Sequence, residues 1–589
     1  EALAAEIKAG TVKSLLVLGG NPAYDAPADL GFAKLLKSVQ WSLHLASHRN
    51  ETGRHTRWHA PEAHPFECWG DHVSRTGALG LQQPMIAPLH GGRSAAEILA
   101  KLGGVKWWRG HPLVRATMRK VLAQGDFEAS WKSALQSGIV RDGDAVNATL
   151  NAAGVAIAAG AIGAADGGSP AAVEVDFSPD PALGDGRSGN NPWMLELPHP
   201  LSCISWDNAA YFSAKTASEL GVKNEDLVLI KDGQGNPAEV VAWVLPGQAD
   251  GSVSVHLGWG RPAAGQYGAG VGFDLYPLRT TRTMGFSSGC SVELVGRKHD
   301  VVQTQETHSM EGRPVAVDAT LEEYRKNPDF AEDASPTFSA MPLWKEVDYS
   351  KGHKWGMTID LSTCSGCNAC LVACQSENNV ATVGKEQVGR GRDMYWQRLD
   401  RYFVGADEAN PGVAFQPVAC VQCEEAPCEN VCPVAATAHS PEGLNDMAYN
   451  RCIGTRYCMN NCPYKVRRFN FLDYTGKVPE VRRMQYNPNV TVRMRGTMEK
   501  CSYCVQRIQE ARISARRDER PLKGESVVMA CQQACSSGAI VFGDLNDKDS
   551  EVYKLSKLDR SYKLLAGVGT QPRTTYLGKI RNPNPEMQA

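Results

Sequence analysis

Ser14 to Gly20 (SLLVLGG) is an apolar run that ends in two glycines and leads into Asn21-Pro22, which predicts a buried strand feeding a turn. From Leu30 to Val39 apolar residues recur at helical spacing, completing a β-turn-α unit, and Ser94–Leu102 and Phe127–Gln136 repeat the helical pattern. Together they predict an α/β layer reaching about residue 140. Between about residues 152 and 191 the periodicity gives way to Gly, Ala, Asp and Pro, the composition of a long connection and a domain boundary. From 193 to about 295 short apolar runs alternate with turns, at Leu227–Lys231, Val240–Leu245 and Ser252–Leu257. With one helix at Ala214–Leu220 they predict a compact β-rich domain. Residues 300 to 355 carry little periodicity and several prolines, and read as a linker wrapping toward a last domain.

Composition narrows the class without naming a partner. The chain has 589 residues, enough for several domains, and its 62 Lys and Arg against 64 Asp and Glu leave a formal charge of −2. With 42% hydrophobic and 21% charged residues it is neither disordered nor collagen-like. The longest weakly apolar run, Ala152 to Ala165, falls short of the roughly 18 residues that suggest a membrane span. No leader precedes Glu1, so an export signal is expected to have been removed or to lie outside these residues.

Cysteine placement changes the picture most, because 15 of the 18 cysteines fall between Cys364 and Cys535. They form four groups. Cys364, Cys367, Cys370 and Cys374 are spaced C-x2-C-x2-C-x3-C, and Cys420, Cys423, Cys428 and Cys432 are spaced C-x2-C-x4-C-x3-C with Pro433 following. Cys501, Cys504, Cys531 and Cys535 follow the same grammar with an insertion. Cys452, Cys458 and Cys462 are incomplete, with Thr455 standing where the first group has its second cysteine.

Such runs wrap three thiolates around one iron–sulfur cluster and send the fourth, on a following helix, to its neighbour. Pairing the first group with the fourth and the second with the third predicts four clusters in two ferredoxin-like units. Cys364, Cys367, Cys370 and Cys535 would hold one [4Fe–4S] cluster, and Cys374, Cys501, Cys504 and Cys531 its partner. A third would rest on Cys420, Cys423, Cys428 and Cys462. The last site keeps only Cys432, Cys452 and Cys458, so a [3Fe–4S] cluster is expected there, Thr455 having no thiolate to offer. Zinc sites would leave the third and fourth cysteines of each group unexplained, and no C-x2-C is followed by His, so no c-type haem attachment is expected. Cys68, Cys203 and Cys290 read as small buried hydrophobes, and His55, His59, His64 and His72 as structural histidines. Arg451 to Lys523 holds 17 Lys and Arg against six Asp and Glu, which reads as a solvated surface, compensation of anionic clusters, or a docking face.

At this point the resemblance to a known family becomes specific. GMTIDLSTCSGCNACLVACQSENN from Gly356, CVQCEEAPCENVCP from Cys420, CIGTRYCMNNCPY from Cys452 and EKCSYCVQRI from Glu499 resemble the four-cluster subunits of respiratory molybdopterin oxidoreductases and polysulfide reductases. LGGNPAYDAP from Leu18 and HAPEAHPFECWGD from His59 are similar to the molybdopterin oxidoreductase family, and NNPWMLELPHPLSCISWDNAAYFS from Asn190 to the start of its double-psi β-barrel. Both regions in one chain, joined through THSMEGR (Thr307 to Arg313), resemble the large iron–sulfur subunit of alternative complex III.

That resemblance implies a multidomain α/β and α+β architecture. It has a molybdopterin-oxidoreductase-like region (1–150), a connection (151–190), a double-psi β-barrel-like domain (191–300), a linker (301–355) and a four-cluster ferredoxin-like domain (356–589). It implies three [4Fe–4S] clusters and one [3Fe–4S], no molybdopterin and no haem in this chain. The subunit would have no catalytic residue of its own and would relay electrons from quinol oxidised in a polytopic membrane partner toward c-type haem subunits and a periplasmic carrier, at the periplasmic face of the inner membrane. The alternative is the iron–sulfur part of a molybdenum-containing polysulfide or sulfur-oxyanion oxidoreductase. A third reading is a scaffold whose clusters mainly hold the fold.

Overall fold

A computed structural model of the chain describes residues 1–122, 125–141, 172–336, 347–405, 407, 409–476 and 478–582. The first half of the expected connection, up to residue 171 and including the run from Ala152 to Ala165, and residues 337–346 of the expected linker lie outside the described residues. Among the described residues no helix is long and apolar enough to cross a membrane.

The first apolar run forms the strand Ser14–Leu18, which pairs in parallel with Trp41–Ala46, itself parallel to Trp58–Pro61. Gly19 and Gly20 then take left-handed φ values of 69° and 67°, a turn that residues with a Cβ enter only at a cost. The expected helix from Leu30 starts later, at Phe32–Ser38, because Ala28–Leu30 is a 3-10 turn closed by left-handed Gly31. Ala95–Leu102 begins as expected, with Ser94 and Glu97 satisfying each other's backbone amides in a capping box. A feature absent from the expected α/β layer is an antiparallel sheet of Gly70–Val73, Leu79–Gln82 and Ile139–Arg141. Its Leu79 packs with Val114, Met118 and Trp131 from the helices Gly110–Val121 and Phe127–Ser137.

The β-rich domain is a closed six-stranded barrel. Around its circumference run Asp226–Lys231, Pro237–Val244, Ala210–Phe212, Ser252–Leu257, Val173–Pro179 and Phe286–Lys298. Val173–Pro179 belongs to the stretch expected as connection; the alternating VEVDFSP buries Val173, Val175 and Phe177, and the Gly-rich composition ends before it. The expected linker is also partly structured: Asp318–Thr320 pairs in parallel with Lys579–Arg581, and the helices Leu321–Lys326 and Phe330–Ala334 follow.

After residue 354 the strand Trp355–Asp360 lies at the centre of a sheet, antiparallel to Ile540–Asp544 and parallel to Thr574–Leu577. A long hairpin, Gln397–Val404 with Gly412–Ala419, packs beside it. One core joins Trp355, Met357, Ile359, Phe542, Tyr562 and Tyr576 to Cys370, Cys420, Cys423, Cys428, Cys458, Cys462, Cys504 and Cys531. Barrel and cysteine region meet through buried polar contacts. Glu196 accepts from the amides of Val383 and Gly384, both at 2.8 Å, Asn368 Nδ2 donates to the Pro198 carbonyl at 2.8 Å, and Lys385 pairs with Asp207 at 2.6 Å.

Candidate iron–sulfur site

The four cysteine groups share one backbone device. Two residues after the first cysteine of each group the chain turns left-handed, at Gly366, Gln422, Gly454 and Tyr503, with φ of 74°, 52°, 77° and 53°. Glycine adopts this at no cost, whereas Gln422 and Tyr503 are held there by their surroundings. Gln422 Nε2 donates to the Cys501 carbonyl and its Oε1 accepts from the Asn445 amide, each at 2.9 Å; the Tyr503 hydroxyl bonds Thr574 Oγ1 at 2.6 Å. In the first group the residue after the second cysteine, Asn368, is left-handed too and caps the helix Ala369–Glu377. Arg456 does the same after Thr455, capping Tyr457–Asn461. Thr455 therefore stands on the same loop geometry as Cys367, and both are exposed.

The folded protein brings the thiols into four neighbourhoods. Burial first, and then the nearby Cys364, Cys367 and Cys535, push the Cys370 thiol up. Burial likewise raises Cys374, reinforced by Cys501, Cys504 and Cys531. Cys423 is raised by burial, Cys420, Cys428 and Cys462, and Cys458 by burial against a lowering Arg467, with Cys452 and Cys432 adding to the rise. These sets adjoin in a row: Cys531 feels Cys370 of the first set, and Cys501 feels Cys420 of the third. The fourth adjoins the third across Arg467, which faces Cys428, Cys420 and Cys462 on one side and Cys458 on the other.

Two sulfurs behave differently. At Cys432 burial opposes ionisation, but the amides of Val434, Ala436 and Thr437 outweigh it and lower the thiol; at Cys535 burial is outweighed by Ser537 and the amides of Ile540 and Ala539. The Ala436 and Ala539 amides each lie 3.2 Å from the sulfur four residues earlier, and left-handed Ala435 and Gly538 turn the backbone round to allow it. Asn378 Nδ2 supports Cys374 Sγ at 3.5 Å.

These features fit iron–sulfur clusters. Sulfurs converge in sets of four, four, four and three, most of them packed into the apolar core and Cys367 exposed at its edge, with backbone amides aimed at two of the sulfurs, contacts that tune the electronics of such sites. Among the described residues no three His, Cys, Asp or Glu side chains close on a single point tightly enough for one metal ion. A cluster asks for a wider arrangement, since each thiolate binds its own iron.

Of the remaining cysteines, Cys203 and Cys290 are buried and Cys68 is partly exposed, its sulfur accepting from Gln82 Nε2 at 3.3 Å. His44 and His59 face each other across adjacent strands. Spacing did not single out Asn378, Gln422, Arg467 or Lys500; the only signal for the last two was the basic stretch, where nothing separates Arg467 from its neighbour Arg468.

Residues 363–436 match the family model of the 4Fe-4S dicluster domain. The iron–sulfur cluster-binding subunit of menaquinone reductase from Nitratidesulfovibrio vulgaris is 41% identical over 230 residues, covering 38% of this chain and 89% of its own. Hdr-like menaquinol oxidoreductase iron–sulfur subunit 1 from Archaeoglobus fulgidus is 36% identical over 38% of this chain and 82% of its own. A polysulfide reductase subunit from Wolinella succinogenes is 28% identical over 37% and 92%. The solved structure of acetylene hydratase from Pelobacter acetylenicus overlaps 48% of this chain and 42% of its own at 13% identity, with a TM-score of 0.34, too loose to carry an argument.

Proposed function

This protein belongs to the family of oxidoreductase iron–sulfur cluster-binding subunits, and from that membership we propose that it is the electron-relay subunit of a membrane-bound quinol-oxidising complex of the alternative complex III kind. The observation that carries the reading is the row of four thiol neighbourhoods, the last a trio beside Thr455.

The ligand sets are Cys364, Cys367, Cys370 and Cys535; Cys374, Cys501, Cys504 and Cys531; Cys420, Cys423, Cys428 and Cys462, each for [4Fe–4S]; and Cys432, Cys452 and Cys458 for [3Fe–4S]. When bound, clusters supply one-electron transfer with no group transfer. The chain's residues hold them at fixed spacing, exclude water from the interior sulfurs and present amides to the outer ones. The three-iron cluster at the Thr455 end is the first acceptor of quinol electrons, a role that asks for a potential near that of the quinol couple.

The partners are a polytopic quinol-binding membrane subunit, c-type haem subunits and a periplasmic carrier, with the protein peripheral on the periplasmic face and free of molybdopterin. The double-psi connectivity of the barrel, the molybdopterin-oxidoreductase-like character of residues 1–150 and the domain limits belong to the same proposal. One relative is named a menaquinone reductase subunit and another a menaquinol oxidoreductase subunit, so the direction is part of the proposal. The likeness to the polysulfide reductase subunit supports a second reading, the iron–sulfur part of a molybdenum-containing sulfur-compound oxidoreductase.

The test is elemental mass spectrometry of the native complex, quantified against this chain, together with anaerobic addition of quinol. No molybdenum, with bleaching of the oxidised three-iron paramagnetic signal by quinol, is expected. About one molybdenum per chain would overturn the first reading in favour of the second, and clusters that quinol cannot reduce would overturn quinol oxidation.

A further inference from the structure

Three strongly buried guanidiniums of this chain meet carboxylates: Arg261 with Glu51 at 2.8 Å, Arg493 with Glu499 at 2.8 Å and Arg573 with Glu424 at 3.1 Å. Arg467, Lys500 and Arg401 are as buried, at 2%, 1% and 0% exposure, and among the described residues none of the three has a carboxylate at ion-pair distance; Arg401 turns instead to His308 Nδ1 at 2.8 Å and the Cys203 sulfur at 3.6 Å. Lys500 Nζ donates to the carbonyl of Cys501 at 3.0 Å. Arg467 hydrogen-bonds the Cys458 sulfur and otherwise reaches the neutral Asn445 Oδ1 and Met447 Sδ at 3.4 Å and Thr437 Oγ1 at 3.5 Å, and its Nε has no partner.

A buried charge without a counter-charge is costly. What faces Arg467 is sulfur: Cys428, Cys420 and Cys462 of the third set and Cys458 of the fourth. Lys500 faces Cys428 and Cys501, of the third and second sets, with Asp446 as a more distant carboxylate. The two cations thus stand in consecutive gaps of the row, and of these two it is Arg467 that borders the three-cysteine set.

We propose that Arg467 is the shared counter-charge of the two clusters at the Thr455 end and sets their reduction potentials, with Lys500 acting likewise one gap further along. The inference rests on the ligand sets assigned above. Reduction adds a negative charge to a cluster, so a fixed cation beside it stabilises the reduced form and raises the potential. Arg467 touches no electron donor itself and acts through the clusters it separates.

The experiment is a redox titration of the purified complex, followed by electron paramagnetic resonance, in wild type, Arg467→Gln, Arg467→Lys and Lys500→Met. At the ambient potential where the wild-type three-iron signal is half reduced, Arg467→Gln is expected to lower the reduced-to-oxidised ratio at least tenfold, about 59 mV for one electron. Arg467→Lys, which keeps the charge, stays within about threefold, and Lys500→Met moves four-iron signals but leaves the three-iron midpoint in place. An unchanged midpoint in Arg467→Gln at full iron content overturns the proposal, as does an Arg467→Lys shift as large as that of the Gln variant. Should Arg467→Gln lose its clusters, a wild-type midpoint in Arg467→Lys beside shifted four-iron signals in Lys500→Met sustains the proposal, and unmoved four-iron signals overturn it. A wild-type complex without any three-iron signal overturns the ligand assignment itself, a different failure from an unmoved midpoint.

Discussion

In the barrel, alternation along the strands delivers the interior: Val173, Val175 and Phe177 from one strand, Val253, Val255 and Leu257 from its neighbour, with Val228 and Ile230 across from them. In the region after residue 354, much of the interior is sulfur carried on loops and short helices such as Pro427–Asn430 and Tyr457–Asn461. Aliphatic burial holds the barrel without help, at about 1.5–3 kcal/mol per large side chain. The cysteine loops spend backbone freedom on left-handed turns at Gln422, Tyr503 and Arg456, each costing of order 1–3 kcal/mol. Metal binding couples to folding and would offset that cost, so the cysteine region, beyond its own apolar core of Trp355, Ile359, Phe542 and Tyr576, is expected to lean on a cofactor where the barrel does not.

The sharpest way to break this contrast is to strip the iron. Chelation under reducing conditions is expected to open the region from 355 onward to proteolysis, leaving a resistant fragment that spans the barrel strands from 173 to 298; mass mapping that finds both regions cut together would end the contrast. Next in size, Ile230→Ala, at a fully buried barrel position, is expected to cost about 2–5 kcal/mol in thermal or denaturant unfolding of the barrel. The iron–sulfur absorption spectrum should stay as it was, and a bleached spectrum would show that the regions are not independent.

The seam between them titrates. Burial pushes Glu196 up to about 7, only partly offset by the amides of Gly384 and Val383 and by Trp206. A carboxyl whose folded pKa exceeds its unfolded value contributes stability that is complete below the unfolded value, near 4.5, and lost as pH rises through about 7. The seam should therefore weaken between those values by at most about 3 kcal/mol, at 1.36 kcal/mol per unit. Glu196→Gln is expected to flatten the pH dependence of the unfolding midpoint, and an equally steep profile in that variant would point to another group. Smallest in stability but clearest in spectrum is Thr455→Cys, expected to replace the three-iron signal by that of a four-iron cluster with the unfolding midpoint nearly unchanged. Persistence of the three-iron signal would mean that Thr455 is not the missing-ligand position.

Legibility in the sequence follows the same divide. Alternation revealed the strands at Leu227, Val240 and Ser252, but not their order around the barrel, because most of the pairings, such as Val173–Pro179 with Ser252–Leu257 and with Phe286–Lys298, join segments far apart in sequence and leave no local mark. Val173–Pro179 was missed because the Gly, Ala and Pro around it outweighed seven alternating residues. Cysteine spacing gave the four groups, since ligand geometry constrains neighbours along the chain. The supporting residues were not legible: Gln422 and Tyr503 are ordinary residue types in left-handed backbone, and the burial of Arg467 beside half-buried Arg468 is decided by tertiary packing alone.

Gln422 carries one further consequence. Its amide spans from the Cys501 carbonyl to the Asn445 backbone, 2.9 Å at either end, and so ties a loop of the second set to the loop of the third. Tunnelling between two centres falls exponentially with the gap between them, so a strut of fixed length across that gap acts as a gauge block: its length, more than its polarity, calibrates how fast an electron can cross.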